Sequence, residues 1–394
     1  MSSPVIRSVR HDVHDRPFIV IWEVTRACDL VCRHCRADAQ RARHPFELTT
    51  AEGFRLLDDL ASTPRPHPIV VLTGGDPFAR EDLRELVAHG TERGLTMALS
   101  PSVTPRLTRS VLNDLRAAGA RAISLSLDGV DAATHDAFRG VTGVFDATLV
   151  AAADVRAAGL RLQVNTTVTR ANAATLPGIL RHVIDLEASL WSVFLLVPTG
   201  RGRTLDALPA DDVEDVLHWL CEVSRLVAIK TTEAPHHRRV VLQREQGIDD
   251  PVRGPLHESL MEQSEPMLRE SPPRRAARPP LDVNAGRGFV FVDHLGAVQP
   301  SGFLPVTVGS IRDAPLTHIY RDSPVLRRLR DPGLLRGRCG DCEFRAVCGG
   351  SRSRAHAVHG DLLGDDPACA YVPTRGGRAG AATSSGSVNT PTSI

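Results

Sequence analysis

Between residues 18 and 197 the chain alternates, six times over, between a short apolar β-rich run and a longer segment with helical spacing. The apolar runs fall at 18–24, 68–73, 95–100, 121–127, 160–167 and 190–197. The segments 50–62, 80–93, 104–118, 145–158 and 173–187 are rich in Ala, Leu and Arg and repeat their apolar residues at helical intervals. Thr49 or Thr50 is placed to cap the first, with Glu52 in its first turn, and Gly94, Gly119 and Gly159 each close a helix before the next strand. Strands joined by helices pair in parallel, because the crossover returns the chain to the same end of the sheet. Near-continuous apolar strands predict a sheet covered on both faces. Six units are too few to close an eightfold barrel. The expected fold is therefore α/β, a partial (β/α)6 TIM-like barrel followed by a small C-terminal domain, with a doubly wound sheet as the alternative. In both, functional residues belong at the C-terminal ends of the strands.

The remaining chain is organised around this core. Residues 1–16 are polar and read as a flexible lead-in, and 17–230 as the barrel. A further helix is expected over 211–227. Residues 231–286 read as a connecting segment. Within it, 244–285 are rich in Pro, Arg and Glu and predict a linker or mobile insertion, with Ser271-Pro272-Pro273-Arg274-Arg275 and Arg278-Pro279-Pro280. Residues 287–372 form a small Cys-bearing unit with few helical signals, opening on a hairpin that runs from 288–293 to 297–300. The Gly/Ser/Thr-rich stretch 373–394 reads as a disordered tail.

Composition narrows function more than fold. The 394 residues are 42% hydrophobic, and their net charge of +1 provides no basic excess for nucleic acid or an anionic membrane surface. Neither partner is expected. Lys230 is the only lysine among 47 basic residues. No apolar run approaches the ~20 residues that span a bilayer, and 1–16 hold no signal-peptide-like stretch, so the expected location is cytoplasmic.

Eight cysteines stand at 28, 32, 35, 221, 339, 342, 348 and 369. In a reducing cytosol an even count does not imply disulfides. Seven fall in two groups at opposite ends of the chain, which points to two metal centres and leaves Cys221 as a core residue of its helix. Cys28, Cys32 and Cys35, spaced C-x3-C-x2-C, follow the first strand directly. Three close thiolates suit a soft metal. On a four-iron cluster they leave one iron without a protein ligand and open to chemistry. A zinc knot with His34 as fourth ligand is the alternative, awkward because His34 adjoins Cys35. Cys339, Cys342, Cys348 and Cys369 supply four thiolates, which on spacing alone suit a structural zinc ion or an iron–sulfur cluster equally.

The run Glu23-Val24-Thr25-Arg26-Ala27-Cys28-Asp29-Leu30-Val31-Cys32-Arg33-His34-Cys35 resembles the signature of the radical S-adenosylmethionine (SAM) superfamily. The resemblance implies that Cys28, Cys32 and Cys35 bind a [4Fe–4S] cluster whose open iron chelates SAM. It implies that one electron, from a donor such as flavodoxin or ferredoxin, cleaves SAM to methionine and a 5′-deoxyadenosyl radical, which takes hydrogen from a substrate. The residue before the last Cys is usually aromatic in that family and is His34 here.

Thr73-Gly74-Gly75-Asp76-Pro77 is similar to the family's Gly-Gly-Glu-Pro, although alone it would be an ordinary turn. The likeness implies that Gly74, Gly75, Asp76 and Pro77 hold the SAM amino group. Glycines let backbone approach a ligand, and a carboxylate suits an ammonium. Asp in place of Glu shortens the reach and favours a backbone contact. Ser124-Leu125-Ser126-Leu127-Asp128-Gly129 and His135-Asp136-Ala137-Phe138-Arg139-Gly140 resemble segments of members with C-terminal cluster domains, implying Ser126, Asp128 and Arg139 at the SAM carboxylate or ribose. Asn165 is a further ribose candidate or a plain strand-end cap. Leu195 and Leu196 either meet adenine or belong to the core.

Residues 287–372 resemble the SPASM domain, a C-terminal extension of many such enzymes that holds two auxiliary [4Fe–4S] clusters. Where the full pattern has two more Cys ligands for the first auxiliary cluster, this chain has Ser301 and Arg352. The likeness therefore implies one auxiliary cluster, on Cys339, Cys342, Cys348 and Cys369, and a C-terminal iron–sulfur domain.

For the substrate, Lys230-Thr231-Thr232-Glu233-Ala234-Pro235-His236-His237-Arg238-Arg239 is similar to a stretch in radical SAM proteins of the alternative haem and haem d1 pathways. That implies a tetrapyrrole or other small metabolite, with His236, His237 and Arg238 as substrate-side candidates; a solvated basic loop is the plainer alternative. A maturase acting on a ribosomally made peptide, as in pyrroloquinoline quinone and mycofactocin synthesis, is the second expectation. A non-enzymatic zinc or iron–sulfur scaffold is the third.

Overall fold

The computed structural model describes residues 5–248, 253–270 and 278–374. Strands β1 (Ile19–Thr25), β2 (Ile69–Gly74), β3 (Thr96–Leu99), β4 (Ala122–Ser126), β5 (Arg161–Val168) and β6 (Leu190–Leu195) pair in parallel, each with the next. Between them run α1 (Thr50–Ala61), α2 (Leu83–Glu92), α3 (Arg109–Ala117), α4 (Ala132–Arg139), α5 (Val144–Ala157) and α6 (Leu176–Asp185). Thr49 caps α1 in a reciprocal box with Glu52. After α7 (Ala210–Val223), β7 (Ile229–Thr232) joins β6 as a seventh parallel strand, one more than the sequence predicts. Only Ile229 of its four residues is buried, so it carries no apolar run to find.

The two faces of this sheet differ. Facing the helices, Trp22 packs over Gly53 of α1, and Trp191 meets Trp219 of α7 edge to face at 5.9 Å. Val70, Leu72, Met97 and Val164 are buried on the same side. Each such side chain contributes roughly 1.5–3 kcal/mol by leaving water. The alternate residues Thr73, Ala98, Ser126, Gln163 and Asn165 are only partly buried. The inner face therefore lines an accessible lumen. The prediction that both faces are covered fails there, because a partial barrel has helices on its outside only.

The C-terminal segment is built onto this sheet. β9 (Gly288–Val292) runs parallel to β1 on its free edge, with β8 (Asn284–Ala285) beside it. The predicted hairpin joins β9 to β10 (Ala297–Gln299), and β11 (Gly309–Ser310) follows, antiparallel to β10. Glu23 of β1 seals the junction, accepting from Arg36 at 3.0 Å and lying 3.0 Å from His294 Nδ1. These two partners hold its carboxyl below the usual range despite burial.

Several expectations change. Residues 5–16 are pinned rather than flexible: Arg7 exchanges backbone hydrogen bonds with Pro280 and Asp282, and Tyr320 donates to the Val13 carbonyl. The span read as a linker holds α8 (His237–Glu245) and α9 (Pro255–Glu270). α9 forms despite Pro266 because Leu260 and Met267 are buried and Ser264 accepts from the Trp219 indole at 2.9 Å. The C-terminal unit contains α10 (Leu316–Asp322), α11 (Pro324–Arg330), α12 (Gly337–Asp341) and α13 (Arg352–His359), each too short to show a helical period. The Ser271–Arg275 motif and residues 375–394 of the expected tail lie outside the described residues. Among the described residues no helix is long and apolar enough to cross a membrane.

Candidate functional site

Cys28, Cys32 and Cys35 lie on the loop that leaves the C-terminal end of β1. Mutual hydrogen bonds close this loop on itself: Cys28 N–H to the Gln40 carbonyl at 2.8 Å, and Gln40 N–H to the Arg26 carbonyl at 3.0 Å. Each sulfur faces an N–H donor. Leu30 N lies 3.4 Å from Cys28 Sγ, Ala39 N 3.5 Å from Cys35 Sγ, and Arg139 Nη1 3.7 Å from Cys32 Sγ. Such donors favour sulfur in its anionic, metal-ligating form. Burial works against them at Cys28 and raises its pKa as a free thiol. Among the described residues no three metal-ligating side chains converge on one point, so the fit to a cluster rests on these sulfur surroundings. His34 turns away from the sulfurs' role: its ring stacks on Phe138 at 4.5 Å, and burial keeps it uncharged.

The Gly-Gly-Asp-Pro turn leaves β2 beside this loop. A Cβ on Gly74 or Gly75 would collide with the carbonyls of Thr25, Arg26 or Ala27, so the glycines let the two loops touch backbone to backbone. Asp76 does not face the lumen. It is 1% exposed and accepts from the Thr104 hydroxyl at 2.8 Å and the Phe78 N–H at 3.2 Å. Pro77 follows it as the first residue of a 3-10 turn. Ser102, which sequence reasoning missed, joins the two loops. It donates to the Gly75 carbonyl at 2.8 Å and lies 3.4 Å from Cys28 Sγ. The Ser/Thr cluster after β3 was the available signal.

Asp128 is likewise buried. It receives Arg139 Nη2 at 2.5 Å and the Thr167 N–H at 2.6 Å, and so aims Arg139 at Cys32. Ser126 of β4 and Asn165 of β5 stand opposite each other on the lumen wall, where Gln163 donates to Asn165 Oδ1 at 2.7 Å. Leu195 and Leu196 are buried and border an apolar cavity with Val168, Leu208 and Arg354.

The second set of cysteines lines one cavity with Arg239, Arg338, Arg345, Asp366 and Tyr371. Here too every sulfur has an N–H donor. Gly350 N lies 3.5 Å from Cys348 Sγ and Arg352 Nη2 3.6 Å from Cys339 Sγ, while backbone N–H groups of Phe344 and Tyr371 serve Cys342 and Cys369. Burial raises the free thiols, Cys348 to about 11 and Cys369 to about 12. Thiols with these values bind metal only by releasing protons.

The two positions where a cysteine is absent carry other chemistry. Ser301, Ser351 and Ser353 all donate to the Glu233 carboxylate, at 3.0, 2.5 and 2.9 Å. Glu233 itself holds a left-handed φ of 53° just past β7. Arg352 is 2% exposed, and its guanidinium also donates to the Gly364 carbonyl at 2.7 Å. Sequence reasoning missed Glu233, although it stands directly after a strand in a stretch already singled out.

His236, His237 and Arg238 do not line the lumen. His236 is 0% exposed; burial lowers its pKa to about 4 and that of His237 to about 3, so neither offers a charge to an anion. Arg238 donates to the carbonyls of Leu281, Val283, Val347 and Cys348 and bolts α8 to the C-terminal segment. They are neither a solvated loop nor a substrate wall. Cys221, expected in the core, is half-buried on α7 with its sulfur 3.5 Å from His237 Nε2.

A family model for the radical SAM superfamily matches residues 22–182. The AdoMet-dependent heme synthase of Methanosarcina barkeri is 37% identical over 91% of this chain and 97% of its own length. The chain belongs to the radical SAM superfamily. It is an iron–sulfur enzyme of that class, and membership brings SAM and a [4Fe–4S] cluster. A second relative, the AdoMet-dependent heme synthase of Nitratidesulfovibrio vulgaris, is 36% identical over 91% of this chain and 93% of its own length. The crystal structure of Streptococcus suis SuiB bound to S-adenosylmethionine superposes with a TM-score of 0.65, covering 91% of this chain and 78% of SuiB at 14% identity. That likeness concerns the fold, an open barrel-like α/β sheet.

Proposed function

We propose that this radical SAM enzyme acts on a tetrapyrrole of haem synthesis. The observation that carries this reading is the similarity, along nearly the whole chain, to enzymes named AdoMet-dependent heme synthase. The partly exposed polar inner face of the sheet, which leads to the three-thiol loop, is in keeping with it. Cys28, Cys32 and Cys35 would hold the catalytic cluster, which when reduced supplies the electron that converts SAM to methionine and a 5′-deoxyadenosyl radical able to take substrate hydrogen. The backbone of Gly74 and Gly75 shapes the SAM amino-group site, with Asp76 and Pro77 fixing the turn rather than reaching the ligand. Ser126 and Asn165 offer hydroxyl and amide groups to ribose. Arg139, held by Asp128, sets the charge beside Cys32.

Cys339, Cys342, Cys348 and Cys369 would hold one auxiliary [4Fe–4S] cluster, in keeping with a donor for each sulfur and with the Glu233 and Arg352 contacts where further ligands would stand. The barrel then spans 17–230, with its seventh strand running two residues beyond, and the cluster unit 287–372 is docked on its edge. A flavodoxin or ferredoxin is the proposed reductant. The test is anaerobic incubation of reconstituted, dithionite-reduced enzyme with SAM and iron coproporphyrin III. Stimulated release of 5′-deoxyadenosine with a changed porphyrin mass supports the reading. SAM cleavage that the porphyrin neither stimulates nor consumes would refute the substrate.

A further inference from the structure

Among the described residues, one cation in the lumen has no partner. Lys230 sits in β7 opposite Ser192 of β6, which stands opposite Asn165 of β5, which stands opposite Ser126 of β4. Opposed residues of parallel strands share a face. The neighbours Ile229, Trp191, Val164 and Leu125 are buried on the helix side, so this row of four points into the lumen. Among the described residues no hydrogen bond or ion pair reaches the Lys230 ammonium. Buried arginines nearby in the fold are engaged: Arg139 by Asp128, Arg239 by Glu214, Arg354 by Asp366, Arg238 by four carbonyls. A partly buried cation without a counter-charge is costly unless something completes it.

Its surroundings say what completes it. Arg278 lies close enough to Lys230 for their charges to repel, and Arg7 and Arg161 stand in the same relation to Arg278. Arg161 opens β5, four residues before Asn165, so the positive group extends from the row of Lys230 toward the N-terminal end of the lumen. The carboxylate carried by the strands of the sheet, Glu23 of β1, is already taken by Arg36 and His294. We infer that Lys230 is a substrate-binding residue that receives a carboxylate of the substrate, with Arg278 beside it. The inference rests on the tetrapyrrole reading above and adds the contact that orients such a molecule. From the level of Lys230 to the C-terminal rim of β6 is three residues, about 10 Å of strand. A macrocycle with several peripheral carboxylates, gripped by one at Lys230, would present a distant side chain to the rim where the three thiols lie.

The test is an absorbance titration of reconstituted holoenzyme with iron coproporphyrin III and, separately, with its tetramethyl ester. Iron content and circular dichroism establish that each variant is folded. Lys230→Met should weaken binding of the free acid about tenfold and leave binding of the ester within about twofold. Lys230→Arg should restore most of the loss. Equal affinity of wild type and Lys230→Met for the free acid would overturn the inference while leaving the tetrapyrrole reading intact. Failure of wild type to bind either porphyrin would overturn both.

Discussion

Cys28, Cys32 and Cys35 ride on one loop at the rim of an open lumen, whereas Cys339, Cys342, Cys348 and Cys369 are ringed by Arg239, Arg338, Arg345 and Tyr371. Both sets share the device of one N–H donor per sulfur. They differ in what surrounds the donors. Around the first set the neighbours are backbone turns, the Ser102 hydroxyl and Arg139. Around the second they are long cations and the buried carboxylate of Asp366, set about the cavity that the four thiols line. Three thiols leave one iron of a four-iron cluster without a protein ligand and open to chemistry, whereas four leave none.

Four substitutions probe that contrast, in decreasing order of effect. Replacing Cys28, Cys32 and Cys35 with Ala should lower 5′-deoxyadenosine formation more than about a thousandfold, read by chromatography, while the C-terminal iron signal persists. Loss of both signals together would erase the distinction between the centres. Arg139→Met removes the cation between Asp128 and Cys32 and should cost SAM affinity or cleavage about ten- to a hundredfold, measured by equilibrium binding and single turnover. Unchanged values would reduce Arg139 to a packing residue.

Arg352→Met should make the second centre harder to reduce, by about tenfold in the reduced-to-oxidised ratio at a fixed poise. The first centre should not move in the same redox titration followed by electron paramagnetic resonance, and Arg352→Lys should recover part of the shift. The smallest effect concerns Lys230. Burial and Arg278 lower its pKa to about 8, below its unfolded value, so the unfolded chain binds more protons between about pH 8 and 10.5. Stability of the substrate-free protein should therefore gain from this group as pH rises through that window. Lys230→Met should flatten the gain and add about 1 kcal/mol near pH 7, by urea unfolding. A variant with the wild-type slope would place the ammonium in water.

Much of this was legible in the chain. The apolar runs announced six of the seven strands β1–β7 because their outward residues alternate with small ones that do not break the run. The spacing of Cys28, Cys32 and Cys35 marked the first centre because loop closure needs only local contacts. β7 stayed hidden because its inner residues are Lys230 and Thr232, chosen for the lumen and not for a core. α9 stayed hidden because a composition rich in Pro and Glu masks a helix whose stability comes from Trp219 and Ser264 across space. The same limit explains His236, His237 and Arg238: a motif read along the chain does not say which way each side chain turns, and these turn toward backbone and helix. Asp76 shows the converse, a residue in the expected loop whose carboxylate is taken up by Thr104.

Two cysteine centres divide the work, a three-thiol set and a four-thiol set, only one of them catalytic. Iron and sulfide per chain should be measured in anaerobically reconstituted wild type and in the Cys28, Cys32, Cys35→Ala variant, alongside SAM cleavage. About eight irons falling to about four, with cleavage abolished, is the predicted result. About twelve irons in wild type, or a variant that keeps eight, would contradict it.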